Sequence, residues 1–299
     1  MARNQWLCER LPRLWFVRRA VRRFMPGEDA EAALRVATDL TPVGIASVFT
    51  RLGENLSRIE EADEVVHEYL TLIDEIGARR LDAEISFKLT QLGLDLDPER
   101  TFDHARRLAE RAAVFGKIVW IDIEGSFYAD ATVALYERLK AVSPNAGLCL
   151  QAYLRRTAAD IERLLPIGPA IRLVKGAYLE PEPIAFQTRL EVDANYLLLS
   201  VMMLAAIRDG ATVRLALGTH DVRLIEQAAE QAAALGLPKR AFEIQMLYGI
   251  RNDEQRRLAD EGFAVRVLVA YGASWYPWYM RRLAERPANL LFVLRQLLP

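Results

Sequence analysis

Charged side chains recur at alternate positions of short apolar segments, which is where a ligand-binding interior would put them. Lys88 alternates with Phe87 and Leu89, Asp122 and Glu124 flank Ile123, and Arg172 lies between Ile171 and Leu173. Glu243 and Gln245 alternate with Phe242, Ile244 and Met246, and Arg266 lies between Val265 and Val267. Three cations and three anions on one face neutralise one another. Buried charge is costly unless paired, so such a face suits a polar or charged ligand better than a stable core. Arg281 and Arg282 are adjacent, with Glu285 one turn later. That pair is either a surface pair with a helical neighbour or a bidentate clamp for a carboxylate. Lys88 and Lys175 invite comparison with Schiff-base lysines, but a charge partner for a carboxylate or phosphate is the better reading of both. His220 is a lone histidine, more in keeping with a loop hydrogen bond than with catalysis.

Eight β-like stretches carry the alternating residues: 44–50, 84–90, 117–124, 147–153, 170–175, 211–219, 241–246 and 264–270. Each is rich in aliphatic, aromatic or β-branched residues at period two. Helical patterns lie at 102–115, 131–142, 158–165, 193–209, 221–235, 252–261 and 274–298. Asp221 and Asn252 are expected N-caps, and Gly236 and Gly262 stand where helices should stop. Strands alternating with helices at this spacing predict an α/β fold, a (β/α)8 barrel of the TIM type, with an open doubly wound sheet as the alternative. Residues 1–43 form a helical arm, and residues 44–299 form the barrel. In the barrel, the aliphatic strand faces pack under the helices and the polar faces look inward.

The chain has 299 residues, is 52% hydrophobic and 26% charged, and has a formal net charge of −1. This is a globular composition, and it argues against a nucleic-acid binder. Two cysteines, Cys8 and Cys149, exclude a disulfide framework, and three histidines leave little for a metal site; none is expected. The stretch 196–207 is too short to span a bilayer. Glycine-rich dinucleotide and phosphate motifs, H-E-x-x-H and G-x-S-x-G are all missing. The first 25 residues carry seven arginines among apolar residues, without an uninterrupted apolar core of a signal peptide. An amphipathic membrane-surface arm and a solvated helix packed on the domain both fit this pattern.

Several motifs are more specific. RLVKGAY (172–178), FEIQMLYG (242–249) and WYPWYMRRLAERPANLLFVLR (275–295) closely resemble the proline dehydrogenase family. So do FKLTQLGLDLD (87–97), IDIEGS (121–126), QAYLRRT (151–157), GTHD (218–221), RLGENL (51–56) and RRFMPGED (22–29). The resemblance is to the monofunctional bacterial flavoenzymes and the dehydrogenase domain of the bifunctional proline utilisation proteins. It implies a distorted (β/α)8 barrel with FAD at the C-terminal ends of the strands. It also implies oxidation of L-proline to Δ1-pyrroline-5-carboxylate, with hydride passing to FAD and electrons on to a membrane quinone. A cytoplasmic protein follows, with the basic N-terminal arm as a point of peripheral contact at the inner membrane.

Carried over residue by residue, the resemblance makes Asp122 and Arg172 an active-site ion pair, with Arg172 also near the flavin. Lys88, Arg281 and Arg282 would hold the substrate carboxylate, and Glu285 would brace the arginines. Tyr178, Ala177 and Leu247 would wall the proline ring. Ile123, Gln151, Val174, Lys175, Gly176, Thr219 and His220 would contact FAD. The chain departs from the family pattern at Leu268, where a ring-packing tyrosine is usual, and at Ala270, where proline is usual. The usual aspartate before LGE is also missing. Leu268 keeps a second expectation open: oxidation of hydroxyproline or another cyclic amino acid.

Overall fold

Strand-forming residues alternate in each of eight short segments, and burying the aliphatic half of each closes a sheet. A computed structural model describes residue 21 and residues 23–53 and 56–276. The strands are β1 (Ala46–Arg51), β2 (Ala83–Lys88), β3 (Val119–Asp122), β4 (Ala146–Gln151), β5 (Ala170–Val174), β6 (Arg214–Gly218), β7 (Phe242–Leu247) and β8 (Ala264–Tyr271). They pair in parallel in chain order, and β8 returns to β1. The fold is therefore the closed (β/α)8 barrel rather than the open sheet.

The helices in chain order are α1 (Ala30–Leu40), α2 (Ile59–Ala78), α3 (Pro98–Val114), α4 (Ala129–Val142), α5 (Thr157–Leu164), α6 (Arg189–Arg208), α7 (Val222–Ala234) and α8 (Asn252–Asp260). Helix α1, within residues 1–43, buries Ala33, Leu34, Val36 and Ala37 in the main core. Helix α2 is missing from the helical patterns read above. Its buried Val65, Val66, Tyr69, Leu72, Ile73 and Ile76 form an ordinary helical stripe. Helix α6 is long and apolar enough to cross a membrane by length and composition. Its buried Asp193, Tyr196, Leu199, Met203 and Leu204 face the protein, as expected of a barrel helix.

The helix-end expectations hold at all positions but one. Gly236 and Gly262 do end helices, at φ 74° and 92°, and the next amide reaches back five residues in each case. The N-cap of α8, however, is Arg251 at φ 55°, and Asn252 is already the first helical residue. Asp221 does occupy the N-cap of α7, but its side chain makes no capping bond.

The core between strands and helices holds Ile85, Phe87, Leu89, Val119, Ile121, Ile171, Leu173, Ile244, Val265 and Val267, the aliphatic halves of the alternating pattern. The other halves point inward, but the charges there do not form one cluster. They fall into two tiers, because closing a barrel staggers neighbouring strands along its axis. Near the N-terminal ends, Arg214 bonds Glu84 at 2.7 Å and Glu243 at 3.1 Å, and Arg266 lies 3.1 Å from Glu243. Burial pushes the Glu243 carboxyl up, but the Arg266 and Arg214 charges more than offset this and hold it below its ordinary value. Arg172, Asp122 and Lys88 occupy the opposite end. Glu124 joins neither tier: it is buried past the end of β3 and accepts from the Thr90 hydroxyl at 2.8 Å.

Candidate active site

At the C-terminal ends of the strands lies a cavity of about 750 Å³, the face on which barrel enzymes build their sites. It is lined by Lys88, Asp122, Ile123, Gln151, Arg172, Val174, Lys175, Gly176, Ala177, Tyr178, Thr219, His220, Leu247 and Leu268. All the candidate site residues within the described chain thus face one space. Arg281, Arg282 and Glu285 lie outside the described residues.

Strand register builds the charged wall. Lys88 of β2 pairs with Asp122 of β3, so cation and anion stand side by side at the strand ends. Directly after Lys88 the chain turns, and Gln91 fixes that turn. Its side-chain oxygen accepts from the Lys88 amide at 3.0 Å. Its amide nitrogen donates to the carbonyls of Arg51 at 2.7 Å and Gly53 at 2.6 Å. Gln91 therefore ties the end of β2 to the end of β1.

Arg172 enters from β5 and is only 3% exposed. Nη1 lies 3.3 Å from Asp122 Oδ1, and Nη2 donates to Ser86 Oγ at 3.0 Å. Arg172 Nε is buried and meets no acceptor among the described residues. Gln151 Oε1 and Gln245 Oε1 are likewise buried without a donor among them. Unsatisfied buried groups are uncommon in native structures, and three around one cavity point to a ligand that supplies the partners.

The opposite wall is set by β5, β6 and the loops that follow. Gly176 has φ 120°, and a Cβ there would lie 2.3 Å from the Tyr153 ring, so only glycine lets the loop pass over that ring. Lys175 is tied to Asp193 and, at 3.0 Å, to Asp221, which makes it a charge partner rather than a free amine nucleophile. His220 Nε2 accepts from the Leu247 amide at 3.4 Å.

Cys149, Thr50 and Gly218 also line the cavity and were not singled out as site residues. Cys149 could have been found by parity, since it precedes Gln151 by two on β4. Burial pushes its thiol up to about 12, so it is inert packing rather than a nucleophile.

A closed parallel barrel with paired charges and unsatisfied polar groups at its C-terminal mouth defines a barrel enzyme for a polar substrate. The family model for proline dehydrogenase matches residues 33–295, and the chain belongs to that family. Proline dehydrogenase 1 of Bacillus subtilis (strain 168) is 37% identical over 281 residues, 94% of this chain and 91% of its own length. Proline dehydrogenase of Deinococcus radiodurans is 36% identical over 281 residues, 92% and 89% of the two chains. The crystal structure of proline utilization A (PutA) from Bdellovibrio bacteriovorus inactivated by N-propargylglycine shares the fold, with TM-score 0.82 at 24% identity. The match covers 90% of this chain and 33% of that one, so this chain spans about a third of it.

Proposed function

We propose that this protein oxidises L-proline to Δ1-pyrroline-5-carboxylate, using FAD and passing electrons to a membrane quinone. The observation that carries the reading is the set of Lys88, Asp122 and Arg172 at one mouth, in a chain of the proline dehydrogenase family. The cavity residues fit a flavin. Gln151 Oε1 is a buried acceptor short of a donor and Arg172 Nε a buried donor short of an acceptor, and a flavin ring carries both kinds of partner. The volume of about 750 Å³ is in the range of cofactor sites and exceeds the needs of one small amino acid. Gln151, Val174, Lys175, Gly176, Thr219, His220 and Ile123 would hold the cofactor. When bound, FAD supplies the hydride acceptor for the ring carbon beside the proline nitrogen.

The protein's own groups bind and orient. Lys88 attracts the substrate carboxylate, with Arg281 and Arg282 as the further cations of the proposal. Asp122 neutralises Arg172 and keeps its guanidinium at the cavity wall. Arg172 stabilises negative charge that develops in the transition state. Ala177, Tyr178 and Leu247 supply apolar walls that keep water from the ring. The proline nitrogen must lose its proton before hydride leaves, since a positive nitrogen cannot release hydride. We infer a cytoplasmic protein whose basic N-terminal arm contacts the membrane where the quinone resides; vesicle cosedimentation unchanged by deleting residues 1–25 would refute that contact.

The test is an anaerobic absorption spectrum of the purified protein before and after L-proline. Flavin bands that bleach are expected. Bands that persist with proline but bleach with hydroxyproline or another cyclic amine would favour the second reading, which rests on Leu268 at the cavity wall. A protein that neither contains nor binds FAD would refute both.

A further inference from the structure

Below the cavity, the waist of the barrel is built around one indole. Trp120 points inward from β3 and is fully buried. Small residues make its room: Ala170 and Ala216 pack in the same interior cluster, and a Cβ at Gly147 would lie 2.7 Å from its ring. Trp120 Nε1 donates to Glu84 Oε2 at 2.8 Å, so the lower ion-pair tier fixes the ring's orientation. Two guanidinium groups lie over this ring. Arg172 Cζ is 4.8 Å from a ring centroid, and Arg214 Cζ is 5.3 Å away. Arg214 belongs to the lower tier and Arg172 to the cavity wall, so the indole links the two.

Arg172 needs such a link. Its only hydrogen bond to a described side chain is to Ser86 Oγ, its ion pair with Asp122 is 3.3 Å long, and its Nε has no acceptor among the described residues. An arginine side chain has large rotamer freedom to lose, and two contacts at the tip leave the guanidinium plane free to tilt. A ring face against the guanidinium carbon restricts that freedom, and tryptophan attracts a cation more strongly than other aromatic residues. A carboxylate at the indole edge strengthens the attraction by raising the negative charge of the ring face.

We infer that Trp120, oriented by Glu84, is a positioning residue that sets the plane of the Arg172 guanidinium at the cavity wall. The inference rests on the flavin reading for what Arg172 does there. Trp120 touches neither substrate nor cofactor in this scheme. It acts on kcat rather than on proline affinity, because the carboxylate is held by Lys88, while Arg172 responds to charge that develops during the reaction.

The test compares Trp120→Phe and Trp120→Leu with wild type as purified flavoproteins, reading flavin midpoint potential, kcat, KM for proline and thermal stability. Expected is a lower potential and a fall in kcat of roughly fivefold or more, greater for leucine than for phenylalanine, with KM changed by less than about twofold. Variants that melt at a lower temperature but keep wild-type potential and kcat would overturn the inference, since the ring is then only packing. Should the leucine variant fail to fold, Trp120→Phe decides alone: it keeps an aromatic face but loses the bond to Glu84, so unchanged potential and kcat overturn the inference. A wild-type protein whose flavin proline does not reduce overturns the proline reading and this inference with it.

Discussion

Asp221 stands at the N-cap of α7 yet directs its carboxylate to Lys175, 3.0 Å away, instead of to its own helix. Capping is worth about 1 kcal/mol, and the side chain leaves it to hold a cation at the cavity wall. Asp193 holds the same lysine from α6. Arg189 and Arg223 surround the two carboxylates at the surface.

Replacing Asp221 with asparagine therefore has a pH signature. Burial pushes this carboxyl up, but the hydrogen bond and charge of Lys175, with Arg189 and Arg223, offset that and hold it below the ordinary 3.8. A carboxyl lowered by folding stabilises the protein above its unfolded pKa, and the contribution is lost as pH falls through the folded value. At neutral pH Asp221→Asn should melt below wild type, and the gap should close as pH falls below about 3.8. Thermal melts from pH 3 to pH 8 measure it; a constant gap would contradict the assignment.

Asp122→Asn should remove the counter-charge of a guanidinium that is 3% exposed. Leaving a buried cation unpaired costs about 3 kcal/mol. A fall in kcat/KM for proline of roughly a hundredfold is expected, since the displaced Arg172 no longer faces the ligand. Denaturant melts and steady-state kinetics on one preparation check both.

Gly176→Ala places a Cβ 2.3 Å from the Tyr153 ring at a φ of 120°, which side chains rarely adopt. The expected loss is about 2 kcal/mol in stability, with weaker retention of the proposed FAD, because this loop forms the cavity wall. Urea unfolding and the flavin-to-protein absorbance ratio report the two effects separately.

Cys149 should resist alkylation in the folded state. Burial raises its thiol to about 12, so little thiolate exists at pH 8. In a Cys8→Ser background, iodoacetamide should label the chain only at denaturant concentrations that unfold it. Rapid labelling of the native protein would show that the thiol is open to solvent.

Much of the site was legible because its signal is local. Lys88, Asp122 and Arg172 stand at alternate positions of strands whose ends lie within two residues of those read from the sequence. Glu84 and Arg214 were not singled out, although both face inward. Alternation tells which side of a strand a residue faces, not how far along the barrel axis it sits. For the same reason six charges read as one cluster resolve into two tiers, with Glu124 apart from both. Helix α2 was missed although its stripe is regular, and the α8 cap fell on Arg251, whose left-handed backbone no propensity favours.

By itself, the sequence determined the alternation of strand and helix, the polar inward faces, the family and the residue types at the strand ends. These follow from covalent order and the two-residue period of a strand. Only the tertiary structure decided which charges meet. That depends on the stagger between strands brought together from distant parts of the chain. Glu84 and Arg214 are 130 residues apart and bond at 2.7 Å, and Arg172 comes to lie over Trp120 because Gly147, Ala170 and Ala216 leave the space for an indole between them.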